Sequence, residues 1–120
     1  MNIQANKIKT WIKEGESERL EFKTSFNVEC IESLVAFANT KGGNVCVGIG
    51  NNGKITGVAL GKESLPQWTN EIKSKTEPSL IHDIDVVEMD GKQIVILRAD
   101  EYPLKLCENP RNDGKYLNIR

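Results

Sequence analysis

The chain has 120 residues, of which 38% are hydrophobic and 28% charged, and its 16 basic and 17 acidic side chains give a net charge of -1. This length and composition predict one soluble globular domain with a modest core, and they argue against a disordered, fibrous or membrane-spanning chain. Dedicated DNA-binding domains are often strongly basic, so any basic patch must come from uneven placement of lysine and arginine rather than from their excess.

The first residues contain no apolar run of signal-peptide length, and no segment approaches the length of a membrane span, so we expect a cytoplasmic protein. The three cysteines, Cys30, Cys46 and Cys107, are odd in number and form no C-x-x-C motif, which favours reduced thiols. The cysteine and histidine spacings match no zinc site, and we expect the single histidine, His82, to lie at the surface.

Hydrophobic periodicity divides the chain into helical and extended segments. Residues 94–97 are all apolar, which predicts that their strand is central in a sheet. The order of segments predicts an α+β domain with a mixed sheet and with helices packed mainly on one face. In chain order, the segments are a helix at 5–13, a strand at 18–24, a helix that follows Asn27 and ends before Gly42, strands at 45–49 and 55–58, a helix from Ser64, strands at 83–89 and 93–99, and a last strand at 116–119.

Four local signals predict how these elements begin and turn. Asn27 can cap the helix that follows it. Asn52-Gly53 and Asp90-Gly91 are both typical of two-residue hairpin loops, because a type I′ turn needs positive φ at both central residues. Ser64 and Gln67 have the spacing of a capping box, with Pro66 in the first helical turn.

The segment Gly48–Gly53 satisfies G-x-G-x-x-G, and Lys54 adds a lysine reminiscent of a phosphate-binding loop. In both nucleotide-binding motifs a helix opens directly after the glycines, whereas the residues after Gly53 have the character of a strand. A P-loop lysine is also followed by Ser or Thr, and here Ile55 occupies that position. We therefore expect no nucleotide cofactor, and we expect Gly48 and Gly50 to allow another backbone to approach closely.

Four carboxylates, Glu14, Glu16, Glu18 and Glu21, lie within eight positions. Clustered carboxylates can hold Mg²⁺ or Mn²⁺ against a phosphate, as metal-dependent nucleases require. The alternative is a solvated charge run, in which Lys23 pairs with a carboxylate on the same face of the strand.

Four blocks of sequence together resemble the Schlafen AlbA-type domain, also called a divergent AAA domain, which occurs in bacterial transcriptional regulators. The resemblance implies an AlbA-like α+β fold and a DNA-binding or regulatory role. We take residues 1–120 as one such domain, either stand-alone or part of a longer regulator. The blocks are ESERLEFK at 16–23, AFANTKGG at 36–43, VGI at 47–49 and GKITGV at 53–58.

Animal Schlafen proteins use a similar domain as an endoribonuclease with two glutamates and one aspartate. By motif position, the resemblance assigns the two glutamates to Glu16 and Glu21. The aspartate is expected just after Gly48-Ile49, where this chain has Gly-Asn-Asn at 50–52. A nuclease using Mg²⁺ or Mn²⁺ would therefore need a carboxylate from elsewhere, and Asp83 and Asp85 are the candidates.

Three functions remain open from the sequence. The first is a nucleic-acid-binding domain, with DNA as the expected partner, that contacts phosphates through lysine and arginine. The second is the metal-dependent endoribonuclease, and the third is a non-catalytic dimerisation or protein-interaction module, which the near-neutral charge favours. A homodimer is compatible with all three. The candidate phosphate-binding residues are Lys41, Lys54, Lys105, Arg111, Lys115 and Arg120.

Overall fold

The computed structural model describes residues 5–77, 80, 82–101 and 118–119, and it confirms an α+β domain. Within these residues, no helix combines the length and the apolar character that crossing a membrane requires. The elements in chain order are α1 (Ala5–Glu14), β1 (Leu20–Lys23), α2 (Val28–Ala38), β2 (Gly43–Val47), α3 (Ser64–Ser74), β3 (Thr76–Glu77), β4 (His82–Met89), β5 (Lys92–Ala99) and β6 (Asn118–Ile119).

Four strands form the main sheet in the order β1-β2-β5-β4, and β3 pairs with β6 in a separate two-stranded sheet. β1 and β2 are parallel, which requires the crossover that α2 supplies, while the other pairs in the main sheet are antiparallel. The sheet is therefore mixed, as predicted. β5 lies between two neighbours and residues 94–97 are all buried, so the predicted central strand is confirmed.

Alternate residues of β5 contribute to two hydrophobic cores on opposite faces of the sheet. Val95 and Leu97 pack in the core beneath α2 and α3, which we call the α2–α3 face. Ile94 and Ile96 pack with Ile8 of α1 in the other core, which we call the α1 face. Two of the three helices thus share one face, in agreement with the sequence.

The helix starts show one correct and one incorrect capping prediction. Asn27 caps α2, where its Oδ1 accepts a hydrogen bond of 2.9 Å from the N–H of Glu29. At α3 the capping box is wrong, because Glu63 occupies the N-cap position without a side-chain bond. Ser64 already lies inside the helix, and its Oγ accepts instead from the N–H of Gly61 at 2.8 Å.

Of the two predicted type I′ turns, one is confirmed and the other is wrong. Asp90 and Gly91 have φ values of 53° and 73°, so the turn between β4 and β5 is as predicted. At Asn52-Gly53 the prediction is wrong, because only Gly53 has positive φ, at 85°. Here the Oδ1 atom of Asn52 accepts from the N–H of Lys54 at 3.0 Å, so the side chain rather than a left-handed backbone shapes the turn.

The strand predicted at 55–58 is also wrong. A single bridge joins Ile49 to Ile55, and no regular strand continues from it. Both Thr56 and Gly57 donate their N–H groups to the carbonyl oxygen of Gly48, at 2.8 and 2.9 Å. Two donors on one oxygen break the alternating pattern of a ladder, so the chain turns instead of pairing.

Candidate nucleic-acid interface

The glycine-rich segment after β2 is closed by the chain's own backbone. Gly48 has φ of 112°, and a Cβ atom there would lie 3.2 Å from the carbonyl oxygen of Gln93 and 3.3 Å from Cα of Gly57. No helix opens after Gly53, and residues 54–60 contain none. Gly48 therefore permits a close backbone approach, as predicted, and the segment lacks the strand-turn-helix geometry of a phosphate cradle.

Two lysines lie at this segment, and a third belongs to the helical turn that packs against it. A Cβ atom at Gly53 would lie 3.0 Å from Cγ2 of Ile12, so the last turn of α1, with Lys13, lies against the segment. Lys92, at the start of β5, donates from Nζ to the carbonyl oxygen of Ile55 at 3.3 Å. Lys54 is exposed on the segment itself. We call Lys13, Lys54 and Lys92 the lysine cluster.

The cluster is not surrounded by lysines alone. Glu14 follows Lys13 directly, and Asp90 lies in the turn that precedes Lys92. Both acidic residues are exposed, so they lower the positive potential near Lys13 and Lys92.

Of the phosphate-binding residues predicted from sequence, Lys41 and Lys54 fall in the described residues, and the structure does not bring them together. Lys41 lies in the turn before β2, whereas Lys54 lies beyond its far end. The five residues of β2, with four rises of about 3.3 Å, span about 13 Å, and the two lysines lie beyond its opposite ends. Lys105, Arg111, Lys115 and Arg120 lie outside the described residues, and their roles stay predictions.

Sequence reasoning missed Lys13 and Lys92 as members of this surface. Lys92 carried a signal, since it directly follows the Asp-Gly turn, where a side chain is displayed to solvent. Lys13 carried none, because only tertiary packing brings the end of α1 against Gly53.

Glu16, the first of the two carboxylates matched to Schlafen nucleases, binds the backbone of β1. The carbonyl oxygens of Arg19 and Lys23 accept from β2 and from the residue after it, so Phe22 directs its N–H to the outer edge of the sheet. Oε2 of Glu16 accepts that N–H at 2.9 Å. Its carboxylate therefore satisfies an orphan donor on an edge strand.

Glu21, the second, is engaged in an ion pair on the α2–α3 face. Its Oε2 lies 3.1 Å from Nζ of Lys23, which also lies 3.3 Å from Glu29. The hydrogen bond to Glu21 raises the pKa of Lys23, with a smaller contribution from Glu29, against the lowering effect of burial. Glu21 lines a shallow cleft of about 380 Å³ beside α2, together with Glu32 and Ser33.

Neither Asp83 nor Asp85 can complete a three-carboxylate site with Glu21. β4 lies at the opposite edge of the sheet from β1. The cross-strand partner of Asp85 is Ile96, which faces α1, whereas Glu21 lies on the other face of the sheet. The proposed third ligand is therefore wrong, and the part of the chain that the structure describes holds no group of three His, Cys, Asp or Glu placed to bind a metal.

His82 is half-buried at the start of β4, which corrects the expectation of a surface residue. Burial lowers its pKa, and the charge of Lys73 lowers it further, while the backbone of Leu80 and the charge of Asp83 raise it. Its Nδ1 atom is buried without a hydrogen-bond partner among the described residues.

Cys30 and Cys46 are free and buried, as predicted for reduced thiols, while Cys107 lies outside the described residues. Burial raises the pKa of Cys46 to about 12 and also raises that of Cys30. These thiols act as small apolar core residues.

Comparison with known proteins agrees with the observed fold. The N-terminal domain of a RecG-related protein from Nitrosomonas europaea, solved by NMR, matches with a TM-score of 0.65 and 15% identity, over 97% of this chain and 81% of that one. The DIP2311 protein from Corynebacterium diphtheriae matches with a TM-score of 0.53 and 18% identity, over 80% of this chain but only 22% of its own length.

At these identities the two structures show the fold alone. No curated protein matches the chain significantly. The family model described as Schlafen, AlbA_2 matches residues 16–118, which is most of the chain. The protein therefore belongs to the Schlafen AlbA_2 family.

Proposed function

We propose that this chain is a nucleic-acid-binding domain of a transcriptional regulator and that it contacts the phosphate backbone of DNA. The observation that carries the proposal is the lysine cluster, in which Lys54 lies on the glycine-rich segment, Lys92 at the start of β5 binds that segment, and Lys13 belongs to the α1 turn that packs against it. In a chain of net charge -1, such a surface arises only from uneven placement of charge.

The lysine side chains of this surface are suited to binding phosphate. Lysine acts as a compact point charge on a flexible stem, which suits phosphate but does not read bases. The turn that carries Lys54 is held by the Asn52 side chain and by a 2.8 Å bond from the N–H of Gly53 to the carbonyl oxygen of Gly50. The cluster would therefore position DNA, and sequence discrimination would come from other parts of a regulator.

The test is fluorescence anisotropy of a labelled DNA duplex titrated with protein across a series of salt concentrations. Binding should weaken steeply with salt, and the slope of log K against log[salt] should fall by about 2 in the double variant Lys54→Gln/Lys92→Gln. Lys62→Gln is the matched control, since Lys62 is exposed in the loop before α3 and lies outside the cluster. A wild-type protein that does not bind at low salt, or an unchanged slope in the double variant, refutes the proposal.

Lys41→Gln measures the extent of the interface. Because Lys41 lies at the other end of β2, we expect it to weaken binding less than Lys54→Gln. An equal loss would show that the duplex also contacts the turn after α2.

A further inference from the structure

Among the residues that the structure describes, the outer edge of β4 is open along its length. In an antiparallel pair, alternate residues direct both backbone groups toward the same neighbour. The carbonyl oxygen of Gln93 accepts from Val58, on the side of β5 away from β4, so the residues of β5 on either side of Gln93 bond to β4. The same alternation continues along β5 to Ile96 and Arg98. The β4 residues that bond to β5 are therefore Met89, Val87, Asp85 and Asp83.

The remaining residues of β4 therefore direct their N–H and C=O groups outward. Within the residues that the structure describes, no backbone group outside β5 bonds to them. Native proteins usually shorten, cover or twist away an edge strand, and an eight-residue strand with a free edge is a template for adding another strand. The outward-directed residues are His82, Ile84, Val86 and Glu88.

A cleft of about 680 Å³ runs beside this edge, between α3 and the first half of β4. Leu65, Thr69 and Lys73 line it from α3, and His82, Asp83 and Ile84 line it from β4, so its wall is partly apolar and partly polar. Val86, on the same face, is 41% exposed, and among the described residues it shares this exposure of a large apolar side chain with Val28. A strand added to β4 would place every second side chain beside Ile84 and Val86, over the apolar part of this cleft.

The opposite face of the same edge is acidic. Asp83 and Asp85 lie on the α1 face, opposite Arg98 and Ile96. Arg98 is engaged by Asp100, at 3.1 Å between Nη2 and Oδ1, so it does not serve Asp83 alone. The other side chains of an added strand would therefore meet two carboxylates.

We propose that β4 and α3 form a docking groove for an extended peptide in which lysine or arginine alternates with apolar residues. The peptide adds antiparallel to β4, its apolar side chains over the cleft and its basic side chains over Asp83 and Asp85. A second copy of the chain fits less well, because β4 carries acidic rather than basic side chains on the face of Asp83 and Asp85, and pairing of two β4 strands centred on Asp85 sets like charges opposite each other, which is destabilising.

The alternation makes the backbone geometry testable. In an antiparallel pair, residues that exchange hydrogen bonds lie directly opposite each other and on the same face. The outward residues of β4 lie on the α2–α3 face, so the apolar residues of the peptide are the ones whose N–H groups bond to β4. The basic residues direct their N–H groups to solvent.

The experiment measures binding of a labelled eight-residue peptide of alternating lysine and valine by fluorescence anisotropy. One control peptide is N-methylated at every valine and a second at every lysine, so charge and side chains stay the same. We expect the lysine-methylated peptide to bind like the unmodified one and the valine-methylated peptide to lose at least tenfold in affinity. Equal binding of both methylated peptides, or no binding of the unmodified peptide, overturns the proposal.

Substitutions in the protein, rather than in the peptide, test the same groove. Val86→Pro removes an N–H that bonds nothing in β5, so it should abolish peptide binding, whereas Val86→Thr should preserve it. If Val86→Pro does not fold, the double variant Asp83→Asn/Asp85→Asn should still weaken binding at least tenfold, and unchanged affinity would contradict the charge assignment.

Two further experiments show whether the peptide binds β4 rather than the lysine cluster, and whether a second copy of the chain occupies β4 instead. Lys54→Gln/Lys92→Gln should leave peptide affinity unchanged, and a loss there would mean that the peptide does not use β4. Sedimentation should show a monomer, since a dimer that Val86→Pro dissociates would assign the edge to a second copy.

Discussion

Gly48→Ala tests whether the glycine-rich segment is a structural turn, because the substitution brings two separable costs. A left-handed backbone costs a non-glycine residue about 1–2 kcal/mol. Gly48 has φ of 112°, and its new Cβ would also lie 3.2 Å from a backbone oxygen, that of Gln93, which has no flexible end to move away. Crowding of this kind adds roughly 1–3 kcal/mol, so the expected loss in the free energy of unfolding is about 2–5 kcal/mol.

Gly15→Ala is the matched control. Gly15 has φ of 84°, but nothing lies within 4 Å of the position of its Cβ, so only the backbone cost of about 1–2 kcal/mol applies. Thermal unfolding followed by circular dichroism should show a fall in Tm of roughly 10–25 °C for Gly48→Ala and of roughly 4–10 °C for Gly15→Ala.

Equal losses in the two variants would refute the close-approach account. Addition of Mg²⁺ and ATP to the wild-type protein provides the second arm of the test. A rise in Tm on addition would mean that the segment binds nucleotide, since a ligand of the native state stabilises it.

Three further predictions concern local contacts. Asn27→Ala should lower the free energy of unfolding by about 1 kcal/mol in a urea titration, and Ser64→Ala should lower it less, because Ser64 is not the N-cap; a reversed order would contradict these assignments. Native Cys30 and Cys46 should resist iodoacetamide at pH 8 and react after unfolding, as followed by peptide mass spectrometry, and rapid native labelling of Cys46 would show that its burial is wrong. Burial lowers the pKa of His82 below its usual 6.5, so the unfolded state binds the proton more readily. The free energy of unfolding that is present above pH 6.5 should therefore be lost as the pH falls through the folded-state pKa. In urea titrations at several pH values, His82→Gln should flatten this dependence, and an unchanged profile would remove His82 as its source.

The elements that could be predicted from the sequence were those with a strong local signal. The apolar run of β5 indicated a central strand, and Asn27 indicated the start of α2. The Asp90-Gly91 turn followed from backbone preference alone, because both residues adopt positive φ. In each case the residues that determine the structure are neighbours in the chain.

The failures occurred where tertiary contacts override local preference. Asn52-Gly53 has a stronger hairpin signal than most dipeptides, yet α1 packs against Gly53 and the Asn52 side chain holds a different turn. The strand expected at 55–58 failed because Gly48 receives two N–H donors on one carbonyl. Neither contact can be predicted from local sequence, because each depends on residues that are distant in the chain or on a side-chain hydrogen bond.

The same limitation applies to the site. Glu16 lies in the segment before β1 and Glu21 lies on β1, and each carboxylate has its own partner. Their partners were not predictable in full: the pairing of Glu21 with Lys23 follows from strand alternation, but the bond from Phe22 to Glu16 depends on which edge of β1 is free. The location of Asp85 on the far edge and on the other face depends on strand order, which no local pattern encodes.

The two edges of the sheet differ in a way that connects the carboxylates to both proposals. At β1 the chain folds back, so that Ser17 and Leu20 exchange backbone hydrogen bonds and Glu16 accepts the N–H of Phe22. A carboxylate in this role blocks strand addition at that edge, and it has one oxygen fewer to offer a metal. At β4 no such device occurs among the described residues, and its acidic side chains repel a second β4 while attracting a basic strand. Strand addition is thus directed to β4, on a surface separate from the lysine cluster, so DNA and a basic peptide need not compete for the same residues.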